Sequence, residues 1–352
     1  MGDGAVAAAG RFVAVAALIS VLAGFAWAGG PNYGEPIDLP NNEFAADPSV
    51  IRVGDRYYLY PTTTGVSVEC WSSTDLENWT YEGVVWGPAE PGSWNDGGVW
   101  APDVFQYEGK FYLYYTANMK IGVAVADEPT GPFVDVYDHP FIGGGYGNTA
   151  GKSIDAHVFQ DDDGSLYIYC TTYIPVSAIR VSRMIDPVTV VGDWQLVVVP
   201  NLLSWELHIC EGPWMVKHGG IYYLMYSGNG ANLPLYAIGY ATATNPMGPF
   251  EKYEGNPILH VDWEHEFYGP GHNSVVTDDQ GTMWMFYHTK VEPTIGWERV
   301  VRKNKLAFDT EGNMYVVLDD DDDVSDDDVS DDDTDDDTSA DDDSGEDEGC
   351  GC

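Results

Sequence analysis

The sequence predicts an all-β protein: a five-bladed β-propeller with about four antiparallel strands per blade, filling residues 29–318. Three observations predict it. An aromatic, strand-like run returns at a nearly constant interval. A second short marker precedes each return by about ten residues. No long stretch carries the 3.6-residue apolar period of a helix.

The aromatic runs are Tyr57-Tyr58-Leu59-Tyr60, Phe111-Tyr112-Leu113-Tyr114, Leu166-Tyr167-Ile168-Tyr169, Tyr222-Tyr223-Leu224-Met225 and Met283-Trp284-Met285-Phe286. Their last residues fall at 60, 114, 169, 225 and 286, so the spacings are 54, 55, 56 and 61. The preceding markers are Asp47-Pro48-Ser49-Val50-Ile51, Ala101-Pro102-Asp103-Val104-Phe105, Asp155-Ala156-His157-Val158-Phe159, Gly212-Pro213-Trp214-Met215-Val216 and His272-Asn273-Ser274-Val275-Val276. A third motif occurs twice, as Pro129-Thr130-Gly131-Pro132-Phe133 and Pro246-Met247-Gly248-Pro249-Phe250. Short runs rich in Tyr, Val and Ile, bounded by Gly, Asp or Asn, are strand-and-hairpin grammar. Units of about 55 residues hold about four strands, and such units closing in a ring make a propeller.

The ends read differently. Arg11 precedes an apolar run, Phe12 to Trp27, and Ala26-Trp27-Ala28 offers small residues at the −3 and −1 positions of a cleavage site. Residues 1–28 therefore read as a secretory signal peptide, with the mature chain starting near Gly29. The run is shorter than the ~20 residues a membrane span needs, so no transmembrane domain is expected in the mature chain. Residues 319–352 hold 20 of the 57 acidic residues and no Lys or Arg, and end in Gly349-Cys350-Gly351-Cys352. Such dense like charge reads as a disordered acidic spacer, which could also tether the protein at a cell surface. The expected location is secreted or cell-surface.

The net charge of −42 excludes a nucleic-acid binder, which needs clustered Lys and Arg. Only Cys70, Cys170 and Cys210 lie in the body of the chain, so at most one disulfide forms there.

The first strand of each blade lines a propeller's central channel. The marker's first position would therefore place Asp47, Asp155 and His272 around one axis, with Glu211 just before Gly212. Carboxylates crowded in a partly dry cavity cannot all ionise equally, and at least one is held protonated. A carboxylic acid beside a carboxylate is the apparatus of glycoside hydrolysis. Asp103 is displaced two places along its strand and reads as structural. Glu206 lacks the motif and reads as a surface acid.

The motifs Ala46-Asp47-Pro48-Ser49-Val50-Ile51, Trp100-Ala101-Pro102-Asp103-Val104, Ile154-Asp155-Ala156-His157-Val158-Phe159, Glu211-Gly212-Pro213-Trp214 and Gly271-His272-Asn273-Ser274-Val275 resemble glycoside hydrolase family 43. The resemblance implies a hydrolase of arabinose- or xylose-containing plant polysaccharide or oligosaccharide that inverts the anomeric centre. It implies Asp47 as general base, Glu211 as general acid, and Asp155 as the residue that raises and orients the acid. It implies no cofactor for the chemistry. It also implies a channel role for His272, which in some members helps hold a hydrated Ca²⁺ through water. Phe44, Trp71, Trp100 and Trp214 are candidates to wall the sugar site. Two alternatives stand beside this: a related five-bladed glycosidase with another sugar, or a propeller that binds sugar without cleaving it.

Overall fold

The computed structural model describes residues 31–318, apart from 146, 148–150 and 174–175. The signal-peptide and acidic-tail readings lie outside the described residues. Blade one comprises β1 (Ala46–Val53), β2 (Arg56–Thr62), β3 (Val68–Ser73) and β4 (Thr80–Trp86). Blade two comprises β5 (Val99–Tyr107), β6 (Lys110–Ala117), β7 (Lys120–Ala126) and β8 (Val134–Asp135). Blade three comprises β9 (Ser153–Gln160), β10 (Leu166–Thr172), β11 (Ala178–Asp186) and β12 (Thr189–Val198). Blade four comprises β13 (Cys210–His218), β14 (Ile221–Gly228), β15 (Ala237–Ala243) and β16 (Glu251–Lys252). Blade five comprises β17 (Tyr268–Thr277), β18 (Met283–Lys290), β19 (Arg299–Phe308) and β20 (Met314–Val316).

Each blade is a four-stranded antiparallel meander in sequence order. The five first strands pack in a closed circuit, β1 on β5, β5 on β9, β9 on β13, β13 on β17 and β17 on β1. The chain is therefore a five-bladed β-propeller. Its ends meet at the closing joint, where the Ile37 and Ala45 amides donate to the carbonyls of Val301 and Arg299.

The aromatic runs are the second strands, and their last residues, Tyr60, Tyr114, Tyr169, Met225 and Phe286, are fully buried. A buried phenol needs an acceptor for its O–H. Tyr60 donates to the Pro129 carbonyl at 2.7 Å, Tyr114 to Pro187 at 2.6 Å and Tyr169 to Pro246 at 2.5 Å. Each bond crosses to the next blade. Pro129 and Pro246 open the two Pro-x-Gly-Pro-Phe motifs, so that repeat is a docking point for the preceding blade's tyrosine. Cys70, Cys170 and Cys210 are all free and fully buried, so no disulfide joins them.

Every first strand carries the same irregularity near its start. The pairing skips one residue between Ala46 and Ser49, Trp100 and Asp103, Ile154 and His157, Glu211 and Trp214, and Gly271 and Ser274. Within each skip one residue adopts the left-handed conformation: Asp47 (φ 47°), Ala101 (47°), Asp155 (54°), Gly212 (59°) and His272 (49°). A left-handed L-residue costs roughly 1–2 kcal/mol, and only the fourth blade avoids that strain by using glycine. Such bulges end regular pairing and re-aim side chains, commonly beside active sites.

Side chains tie these bulges together across the blades. Two residues beyond the aligned strand ends stand Thr62, Thr116, Thr171, Ser227 and His288. Thr62 Oγ1 accepts from the Ala101 amide at 2.7 Å and Thr116 Oγ1 from the Asp155 amide at 3.1 Å. Ser227 Oγ accepts from the His272 amide at 2.8 Å, and His288 Nδ1 from the Asp47 amide at 3.1 Å. The joint between blades three and four differs. There the Gly212 amide donates to Asp155 Oδ2 at 3.2 Å, and Thr171 Oγ1 has no partner among the described residues.

Replacing Tyr114 by Phe orphans the Pro187 carbonyl in a buried joint. Tyr114→Phe should lower unfolding stability by about 1–3 kcal/mol, read as a fall in the denaturant midpoint at unchanged slope.

Candidate active site

The bulged ends of the first strands open into a cavity of about 540 Å³. That lies within the roughly 300–1,000 Å³ usual for ligand pockets. Asp47, Asp155, Glu211, His272 and Arg299 share its wall with Trp100, Tyr173 and Trp297. The three carboxylates come from blades one, three and four and are each at least nine-tenths buried.

Their surroundings differ sharply. Asp47 Oδ1 faces Arg299 Nη1 at 3.0 Å, His288 Nδ1 at 3.1 Å and His272 Nδ1 at 3.5 Å. Its other oxygen accepts from Thr62 Oγ1 at 2.8 Å. Burial alone would push this carboxyl up, but Arg299 with the two imidazoles holds it well below the usual range. Burial and the Arg299 charge in turn keep His288 neutral, pulling its pKa down to about 4. His272 is lowered as well, chiefly by burial.

Asp155 and Glu211 have no cation of their own. Burial first, then the Glu211 and Asp47 charges, raise Asp155 well above the usual carboxylate range. Burial raises Glu211 to about 7, against the opposing pull of a hydrogen bond from Tyr236. The Tyr236 hydroxyl donates to Glu211 Oε1 at 2.9 Å, and Tyr173 approaches Oε2 at 3.5 Å. These two acids form one coupled pair, and the direction for both is towards keeping a proton near neutral pH. The cavity thus holds an ionised carboxylate opposite a carboxylic acid.

The sequence-selected aromatics separate. Trp100 lines the cavity. Phe44 is 40% exposed and lies outside the lining set. Trp71 is fully buried on β3, away from the axis, with its indole N–H donated to the Pro40 carbonyl at 2.9 Å. Trp214 stacks on His157 at 4.2 Å, farther along the first strands and beyond the cavity. The walls that sequence reasoning missed are Tyr173 and Trp297, the latter 64% exposed with the Arg299 guanidinium 5.4 Å from its ring centroid. Both sit in loops outside the repeat, so no periodic signal marks them. Arg299 also follows a loop, and its only cue is the rarity of bases in this acidic chain. Glu206 is not a surface acid but buried: it accepts from Tyr226, the Asn201 amide and Lys252, each at 2.6 Å.

The Ca²⁺ reading of His272 is not supported by its neighbours. Among the described residues no three His, Cys, Asp or Glu side chains gather as a cation cage. The Asp47 oxygen 3.5 Å from His272 already faces a guanidinium, whose charge works against a second cation. No step below uses a metal.

A family description, glycosyl hydrolases family 43, matches residues 39–314. The chain belongs to this family. It is a glycoside hydrolase. A β-D-galactofuranosidase of Aspergillus niger is 30% identical over 298 residues, covering 77% of this chain and 82% of its own. A β-xylosidase of Xylanibacter ruminicola is 27% identical over 332 residues, covering 78% and 97%. The crystal structure of a thermostable family-43 glycoside hydrolase superposes with a TM-score of 0.73 at 35% identity, covering 81% of this chain and 96% of that one.

Removing one partner of a buried ion pair leaves the other charge stranded, typically at a cost of about 3–5 kcal/mol. Arg299→Met should lose about that much stability at pH 7. Asp47 would then titrate at higher pH than before. The deficit should therefore shrink as pH falls and the stranded carboxylate takes up a proton. Denaturant unfolding of both proteins across acid to neutral pH reads this directly.

Proposed function

We propose that this chain is an exported hydrolase cleaving arabinose- or xylose-linked glycosidic bonds of plant polysaccharide by single displacement. The observation that carries the reading is the contrast between two buried carboxyls in one cavity: Asp47 has Arg299 at 3.0 Å, which favours its ionised form, and Glu211 has phenols and no cation in contact, so burial favours its acid form. Asp47 accepts a proton from a water as that water's oxygen bonds to the anomeric carbon. Glu211 gives its proton to the departing glycosidic oxygen as the old C–O bond breaks. Asp155 acts on Glu211 through the backbone: its Oδ2 holds the Gly212 amide at 3.2 Å, one residue from Glu211.

The pentose assignment draws on the xylose named in the Xylanibacter relative. The galactofuranose named in the Aspergillus relative makes furanosides the natural second substrate class to assay. Trp100, Tyr173 and Trp297 offer aromatic faces to sugar C–H surfaces at the cavity wall. Export follows from the leader of residues 1–28, and mass spectrometry of the mature protein should find Gly29 at its N-terminus.

Glu211→Ala should lose about 10²–10⁴-fold in kcat/KM on arabinan or arabinoxylan. It should keep much of its activity on aryl glycosides, whose leaving group needs little protonation. Asp47→Ala should lose both. NMR of the first-formed anomer should show inversion. Wild-type cleavage of both substrate types by Glu211→Ala would remove the acid from this residue. In the wild type, kcat/KM should decline above pH about 7 as Glu211 gives up its proton.

A further inference from the structure

Tyr236 follows the short loop after β14, outside every repeat marker, yet it is among the most enclosed side chains in the protein. It is fully buried and forms no part of the cavity wall. Its hydroxyl nonetheless reaches Glu211 Oε1 at 2.9 Å from behind. Two features fix its ring. On one side it lies parallel to His288, with centroids 5.6 Å apart and planes 9° apart. On the other it rests on Gly271, where an added Cβ would come within 1.9 Å of Cε1 and 2.0 Å of Cδ1. Glycine at 271 is therefore required by this tyrosine. His288 in turn contacts Asp47 at 3.1 Å, so one packed pair of rings spans from the acid to the base.

We propose that Tyr236 is a positioning residue for the reaction: from outside the sugar pocket it fixes the Glu211 carboxyl and sets the pH at which that acid surrenders its proton. This rests on the reading of Glu211 as the acid.

The other groups facing Glu211 are Asp155 on β9, Tyr173 after β10, Asp47 on β1 and Arg299 on β19, with Cys210 on its own strand. The Ser227 hydroxyl faces the Tyr236 phenol. All of these stay in place when only the phenol is changed. A hydrogen bond donated to a carboxylate stabilises its ionised form, so losing the donor leaves the acid protonated to higher pH.

The test is the pH dependence of kcat/KM on arabinoxylan, whose leaving group needs the proton, with KM for an aryl xyloside and thermal unfolding alongside. Tyr236→Phe should move the descending limb upward by roughly one pH unit and leave the ascending limb in place. KM for the aryl substrate should not change, since the ring is outside the wall. 3-Fluorotyrosine at position 236 keeps the shape but sharpens the donor, and should move the same limb downward. That second protein decides the matter if the phenylalanine variant fails to fold. Opposite shifts support the proposal. An unmoved limb in a folded variant overturns it, whatever happens to stability. If Glu211→Ala still cleaves both substrates normally, it is the underlying acid assignment that fails instead.

Discussion

The site depends on one backbone constraint, the left-handed residue near the start of each innermost strand. A regular strand alternates its side chains between the two faces of the sheet. One extra residue breaks that alternation and turns a side chain towards the axis. Repeated five times around a closed ring, it brings residues 47, 155 and 272 to one pit although more than 50 positions separate each from the next. Glycine would relieve the strain at all five positions, but it carries no functional group. Only the fourth blade uses it, and there the carboxylate that lines the cavity stands one residue earlier, at Glu211. The strain at Asp47, Asp155 and His272 is thus the condition for having side chains at those places.

Within that pit, burial and pairing compete, and the balance differs at each acid. Burial raises all three carboxyls. At Asp47 a guanidinium 3.0 Å away, together with the two imidazoles, outweighs it. At Glu211 the opposing groups are phenols and more distant charges, and burial prevails. The position of one arginine therefore separates chemically similar groups into an ionised carboxylate and raised acids. Burial first, and then the Arg299 charge, discourage the imidazoles of His272 and His288 from protonating, which leaves the guanidinium as the strong cationic partner of Asp47 in this corner.

The fold was legible because its unit is short and repeated, so five weak markers reinforce one another. The register was legible for the same reason, and it extends further than the markers: His288 is the fifth member of the Thr62, Thr116, Thr171, Ser227 series and could have been found by counting. What escaped lies in the loops, where no repeat applies. Arg299, Tyr173, Trp297 and Tyr236 each follow or occupy a connection of individual length and sequence. Glu206 escaped for another reason. Its burial is created by Lys252 and Tyr226, brought from other strands of its blade, and no local pattern announces such partners. Trp71 and Trp214 show the reverse error, since an aromatic's chemistry suits both a sugar wall and a blade interface, and only position decides.

The joint between blades three and four shows the ring and the cavity sharing one group. Elsewhere a neutral side chain, hydroxyl or imidazole, receives the amide of the next blade's left-handed residue. Here Thr171 stands in the matching place with its hydroxyl unpartnered among the described residues, and Asp155 receives the Gly212 amide instead. A threonine would satisfy that amide equally well, so hydrogen bonding alone does not explain the exchange. What a carboxyl adds is a second titratable group beside Glu211. Burial first, then the Glu211 and Asp47 charges, oppose ionisation of Asp155, while the amide bond draws it the other way. Burial likewise raises Glu211, so both members of the pair lean towards their protonated forms. The residue that joins blade three to blade four is thereby also one of the cavity's two raised acids.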